Sequence, residues 1–117
     1  MGIDLKAVQA LDLWRGAIVE SVRREAPDLS ARQMALLLTV YLSPPPHTVR
    51  GLAIALNISK PAVTRALDRL GEFGLVRRKL DDTDRRSVLI QRTVKGSVFL
   101  REFGDIIVAA AAKAEPL

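Results

Sequence analysis

From Ile3 to Ala26 apolar residues recur at helical spacing, with Val8, Leu11, Ile18 and Val22 on one stripe and Leu5, Leu13, Trp14 and Val19 widening it. A stripe that wide predicts a helix with two neighbours. Pro27 and Asp28 interrupt the pattern, and Ser30-Ala31-Arg32-Gln33 reads as a capping box, with Leu29 and Met34 placed for a hydrophobic staple. The helix that follows is expected to bury Met34, Leu37, Leu38, Tyr41 and Leu42 and to stop before Pro44-Pro45-Pro46.

Two shorter helices come next. Thr48 is placed to cap the first, whose apolar positions are Val49, Leu52, Ala53 and Leu56, and Asn57 stands where the turn needs a residue tolerant of the left-handed conformation. Ser59 caps the second, Pro61 sits in its opening turn, and Ala62, Val63, Ala66, Leu67 and Leu70 form one apolar face. The opposite face carries Ser59, Lys60, Pro61, Thr64, Arg65, Asp68 and Arg69. Side chains of that kind suit a recognition helix entering the major groove of DNA, and equally suit an ordinary solvated face.

The next segment favours the first reading. Gly74 ends the helix, Leu75 to Lys79 reads as a strand, and Ser87 to Arg92 reads as a second, half-buried one, with an imperfect alternation around Val88 and Ile90. The connecting run Leu80-Asp81-Asp82-Thr83-Asp84-Arg85-Arg86 is too charged to pack. A hairpin tipped with arginine beside such a helix can lay guanidinium groups along phosphates or into a narrow minor groove. An aspartate two residues before an arginine can hold its long side chain in one direction. Thr93 starts a last helix in which Val94, Val98, Phe99, Leu100, Phe103, Ile106, Ile107, Val108 and Ala109 to Ala112 leave little polar face. It reads as buried on both sides, by its own winged domain and by a second subunit, or else as the core helix of a single chain.

The expected fold is therefore mainly α with a small β-hairpin wing, a winged helix-turn-helix that dimerises through its N- and C-terminal helices. It forms a single domain over 1–117. Residues 1–26 supply a dimerisation helix, 30–92 the winged core and 93–117 a C-terminal dimerisation helix.

Composition narrows the functional classes. A chain of 117 residues with 49% hydrophobic content suits one compact domain with a modest core. Its net charge of +5 is unevenly spread: residues 48–101 hold 12 basic and 5 acidic groups, against 5 and 5 in 1–47 and 1 and 3 in 102–117. That local field favours polyanions, although anionic lipid would be attracted too. No signal peptide, membrane-spanning run or lipidation motif is visible, so a cytoplasmic protein without membrane contact is expected. Cysteine is absent, which fits that compartment and removes thiol-based oxidant sensing. The one histidine, His47, follows the three prolines with no ligand-spaced partner and reads as a loop or DNA-proximal residue, so neither a metal nor another cofactor is expected. Without a cysteine, a phosphate-cradling glycine loop or a histidine–carboxylate pair at useful spacing, no catalytic residues are expected and the chain does not read as an enzyme.

Ile58-Ser59-Lys60-Pro61-Ala62-Val63-Thr64-Arg65-Ala66-Leu67-Asp68-Arg69-Leu70, then Gly74-Leu75-Val76-Arg77-Arg78, then Asp81 and Asp84-Arg85-Arg86-Ser87-Val88 closely resemble the MarR (multiple antibiotic resistance regulator) family of bacterial transcription factors. Thr93-Val94-Lys95-Gly96 is similar to the start of that family's next helix. The resemblance implies a homodimeric repressor or activator reading an inverted repeat in double-stranded DNA. It also implies that Arg86 is the wing-tip arginine for the minor groove, with Asp84 orienting it. The residues expected to meet DNA are Ser59, Lys60, Pro61, Thr64, Arg65 and Arg69 on recognition helix 59–73, and Arg77, Lys79, Asp84, Arg85 and Arg86 on wing 75–92. A small aromatic or anionic effector is a further implied partner, whose cleft Trp14, Tyr41, Phe99 or Phe103 could line, although each also reads as core. MarR relatives usually carry one more C-terminal helix, whereas this chain ends soon after Lys113, a departure that bears on dimer geometry. The alternative reading is a winged-helix module for protein interaction or non-specific DNA packaging.

Overall fold

A computed structural model describes residues 6–84 and 86–113. The elements run α1 (Ala7–Arg23), α2 (Ala31–Leu42), α3 (Val49–Leu56), α4 (Lys60–Glu72), β1 (Val76–Leu80), β2 (Val88–Arg92) and α5 (Val94–Lys113). This is the mostly helical arrangement with one antiparallel hairpin that the sequence predicts. It divides into two compact units, 1–28 with 100–117, and 29–99.

In the first unit α1 ends at Arg23, three residues before the pattern suggested, and the expected start at Ile3 lies outside the described residues. The early stop has a local cause. Glu25 turns left-handed at φ 58°, and Pro27 keeps Ala26 out of the helical region. Ala17, Phe103 and Ile106 are buried, and Trp14 meets Phe103 edge to face with ring centroids 6.2 Å apart. Val8, Leu11, Trp14, Ile18, Val19 and Val22 are each at least 40% exposed, so the apolar stripe of α1 is open in the single chain.

The second unit is built on caps. Ser30 Oγ accepts from Gln33 N while Gln33 Oε1 accepts from Ser30 N, the reciprocal capping box read from the sequence. Thr48 Oγ1 and Ser59 Oγ cap α3 and α4 by accepting from Gly51 N and Ala62 N. Asn57 lies in the left-handed region at φ 54°, and the amides of Asn57 and Ile58 return to the carbonyls of Ile54 and Ala53. Gly74, at φ 73°, closes α4 in the same way, with Gly74 N on Gly71 O and Leu75 N on Leu70 O. Spending the Leu75 amide on that closure moves the first strand residue to Val76.

The core joins Leu36, Leu37 and Val40 of α2 to Leu52 and Ala53 of α3, to Ala62, Val63, Ala66, Leu67 and Leu70 of α4, and to Leu75, Val76 and Ile90. The α4 face is the predicted one. The α2 face is rotated: Leu36 and Val40 are buried, Met34, Leu38 and Tyr41 are half-buried, and Leu42 is 80% exposed. A helix this apolar has no unique buried stripe, and its contacts with α3, α4 and β2 select one.

The hairpin pairs Val76 with Arg92 at its base and Leu80 with Val88 at its tip. Thr48 forms an isolated bridge to Leu89 on the other edge of β2, which explains why Leu89 is half-buried and the alternation imperfect. One hydroxyl ties α2 to the residues just before β1 and just before α5, near the wing's root. Tyr41 Oη donates to Leu75 O at 2.7 Å and accepts from Thr93 N at 2.9 Å, while Thr93 Oγ1 donates to Gly74 O and accepts from Gly96 N.

Candidate nucleic-acid interface

The outward face of α4 falls into two halves. Ser59, Lys60, Pro61, Thr64 and Arg65, in its first two turns, are exposed, and neither Lys60 nor Arg65 makes a side-chain hydrogen bond or ion pair among the described residues. Further along, the polar groups are engaged within the protein. Asp68 Oδ1 accepts from Arg78 of β1 at 2.5 Å, Arg69 donates to Glu72 at 2.9 Å, and the Arg69 guanidinium lies 4.5 Å from the centre of the Phe73 ring. Arg69 is thus held at the end of the helix, unlike Lys60 and Arg65.

Strand alternation sorts the cations of β1. Arg78 turns toward α4, where it also approaches Thr64 O at 3.5 Å. Arg77 and Lys79 occupy the opposite face; Arg77 Nε donates to Gln91 Oε1 at 3.2 Å, and Lys79 Nζ lies 3.8 Å from Asp82.

In the tip loop the acids serve the turn. Asp81 Oδ1 accepts from Thr83 N at 3.0 Å and Thr83 Oγ1 at 2.8 Å, and these bonds, the backbone one foremost, hold its carboxyl below the usual aspartate value. Asp81 N donates to Ser87 O and Ser87 N to Asp84 O, closing the loop. Asp84 Oδ1 accepts from Arg86 N at 3.1 Å and lies 3.5 Å from Arg86 Nε. The Arg86 side chain is 94% exposed, tethered near its base with its outer nitrogens free for a partner. Arg85 lies outside the described residues.

His47 stands in the loop before α3, as expected, but it is buried. Its Nε2 lies 3.2 Å from Ser43 O, and its own carbonyl accepts from Ile90 N, tying the start of α3 to the wing. Three prolines gave no hint of this long-range pairing. Among the four aromatics considered for an effector cleft, Tyr41 commits its hydroxyl as described, Phe103 is buried against Trp14, and Phe99 is half-buried. Among the described residues no group of three or more histidine, cysteine or acidic side chains could hold a metal ion. No helix among them is long and apolar enough to cross a membrane.

A capped second helix packed on a shorter first one, followed by a hairpin with an arginine-bearing tip, defines a winged helix-turn-helix protein. The MarR family profile matches residues 29–88, half of the chain, and the chain belongs to that family of winged-helix transcription regulators, which are not enzymes. Solved structures agree on the fold. MepR of S. aureus, in a complex with DNA, superposes with a TM-score of 0.74 at 22% identity, over 87% of this chain and 81% of that one. YusO from Bacillus subtilis gives 0.74 at 23% identity over 92% and 74% of the two chains, and MarR gives 0.68 at 23% over 92% and 78%.

Proposed function

We propose that this chain is a cytoplasmic, sequence-specific regulator of transcription that binds double-stranded DNA as a homodimer, reads an inverted repeat and acts as a repressor. Recognition helix 59–73 would enter the major groove and wing 75–92 would lie on the minor groove. The observation that carries this reading is the pairing of an unengaged cationic face on the first turns of α4 with a wing arginine tethered by its own aspartate. The similarity in fold to MepR, whose structure was solved with DNA, supports it. The open apolar stripe of α1 supports a second copy, because a contiguous exposed patch of that kind marks an interaction surface. The family's small aromatic or anionic effector remains part of the proposal, without an assigned cleft.

Selection of duplexes from a random pool, followed by competition against random DNA, tests the proposal. A regulator should prefer its inverted repeat by about a thousandfold or more, whereas a packaging protein should show no such preference and an interaction module should bind neither duplex well. Three variants separate reading from holding. Arg65→Ala should cost about 1–3 kcal/mol on the selected site and relax one base pair per half-site. Arg86→Ala should weaken many sequences together and reduce the preference for A·T-rich flanks. Asp84→Ala should also weaken binding, although it removes a negative charge beside DNA. Tighter binding by Asp84→Ala would refute the orienting role, and a protein that stays monomeric by light scattering with and without DNA would refute the dimer.

A further inference from the structure

Between Arg32 and Lys60 the one lysine, arginine or acidic residue in the chain is Arg50. It stands in the first turn of α3, exposed, with no side-chain hydrogen bond or ion pair among the described residues. Solvation alone is a poor explanation. Solvating faces usually mix both signs with other polar groups, yet the rest of the exposed α3 surface is Gly51, Ile54 and Ala55, with Ile54 72% exposed.

Where Arg50 sits gives it a use. The bridge from Thr48 to Leu89 lies one residue from the tip end of the β-ladder, and the bond from Ile90 N to His47 O fastens the same segment, so α3 begins beside the outer half of β2. On the other strand, Arg78 fastens β1 to the middle of α4. The hairpin is thus held between the recognition helix on one edge and the start of α3 on the other. In helix-turn-helix complexes the helix before the recognition helix crosses the phosphate backbone. Of the ten other described lysines and arginines of this unit, six are already partnered: Arg69, Arg77, Arg78, Lys79, Arg86 and Arg92 each contact a group of the protein. Lys95 lies against Gly74 at the far end of α4 from Lys60.

We propose that Arg50 is a phosphate-binding residue, a positioning contact that grips the DNA backbone on the α3 side of the wing and carries no base information. This rests on the DNA-binding reading above and adds a contact that reading does not contain. An unpartnered guanidinium gives up no internal bond when it meets a phosphate, so its charge is fully available for counterion release.

The test measures wild type, Arg50→Ala and Arg50→Lys on the selected inverted repeat and on a random-sequence duplex over a range of salt. Arg50→Ala should bind both duplexes roughly three- to tenfold more weakly, keep their affinity ratio, and lower the salt slope by about one per protomer. Arg50→Lys should recover most of the slope. Thermal unfolding should be unchanged in both variants, because the side chain supports nothing in the fold. Equal affinity and slope for Arg50→Ala and a DNA-binding wild type would overturn the assignment and leave the regulator reading intact. A change in the ratio of the two affinities would overturn it in favour of base readout. Failure of the wild type to bind either duplex would overturn both.

Discussion

Adding one methyl group at Gly96 should damage the winged unit more than its size suggests. A Cβ there would collide with the Tyr41 hydroxyl and the Leu75 carbonyl oxygen and would lie 2.7 Å from Tyr41 Cζ. Neither obstacle is free to move. The hydroxyl is held by Leu75 O and Thr93 N, and the Leu75 amide is spent on closing α4. Withdrawing Tyr41 would strand hydrogen-bonding groups at about 1–3 kcal/mol, and shifting the backbone instead is an overpacking cost of similar size. A loss of about 3 kcal/mol is therefore expected, a large share of the roughly 5–15 kcal/mol that holds a domain folded. Tyr41→Phe supplies the check on mechanism. Alone it should cost about 1–2 kcal/mol for the lost bonds. In its background Gly96→Ala should cost about 1 kcal/mol less than in wild type, because the hydroxyl collision is gone while the ring carbon and the Leu75 carbonyl remain. Urea unfolding of the four proteins, followed by circular dichroism, measures the cycle. A Gly96→Ala cost under about 1 kcal/mol, or additivity within about 0.5 kcal/mol, would refute this account of the joint.

Two further predictions concern the wing. Arg78 and Asp68 are both partly exposed, so breaking their pair with Arg78→Ala or Asp68→Ala should cost only about 0.5 kcal/mol of stability. DNA affinity should fall more than that in either variant, with little extra loss in the double variant; independent effects of the two substitutions on binding would show that the pair is not the tie between the wing and α4. The lowered pKa of Asp81 means that its contribution to wing order is present above the ordinary aspartate value and is lost as pH falls through the lower folded value. The Thr83 amide resonance should therefore titrate below the usual aspartate range, and a midpoint at or above 3.8, the ordinary value, would refute the turn's hold on the carboxylate.

What was legible in the sequence was local. Ser30, Thr48, Ser59 and Thr93 each bond to a residue three positions on, and Asn57 and Gly74 close their helices against residues just upstream, so side chain and partner appear in one short window. The buried face of α4 was legible because its polar and apolar positions segregate cleanly. In α2 nearly every position is apolar, and only the packing partners decide that Val40 goes in and Leu42 stays out. The burial of His47 belongs with these, since its backbone bond reaches a residue far along the chain, Ile90.

The same distinction governs the candidate interface. Asp84 and Arg86 stand two residues apart, so their pairing could be read directly, whereas whether an arginine is free depends on distant groups. Arg78 is taken up by Asp68, Arg77 by Gln91, and Arg92 by the carbonyls of Val40 and Ser43. A count of positive charge therefore overstates what this surface can offer a polyanion. The wing acids invite the opposite mistake. Two exposed unit charges about 7 Å apart in water interact by only about 0.6 kcal/mol, and salt reduces that further. Ordering a long side chain on binding costs about 0.5–1.5 kcal/mol, and a closed loop spares the backbone entropy as well. Asp84 bonds the Arg86 amide, lies beside its Nε and helps close the loop through its own carbonyl. Under the proposed DNA-binding role, prior ordering of Arg86 would outweigh the repulsion Asp84 brings, which would let a carboxylate sit at the tip of a wing that meets phosphate.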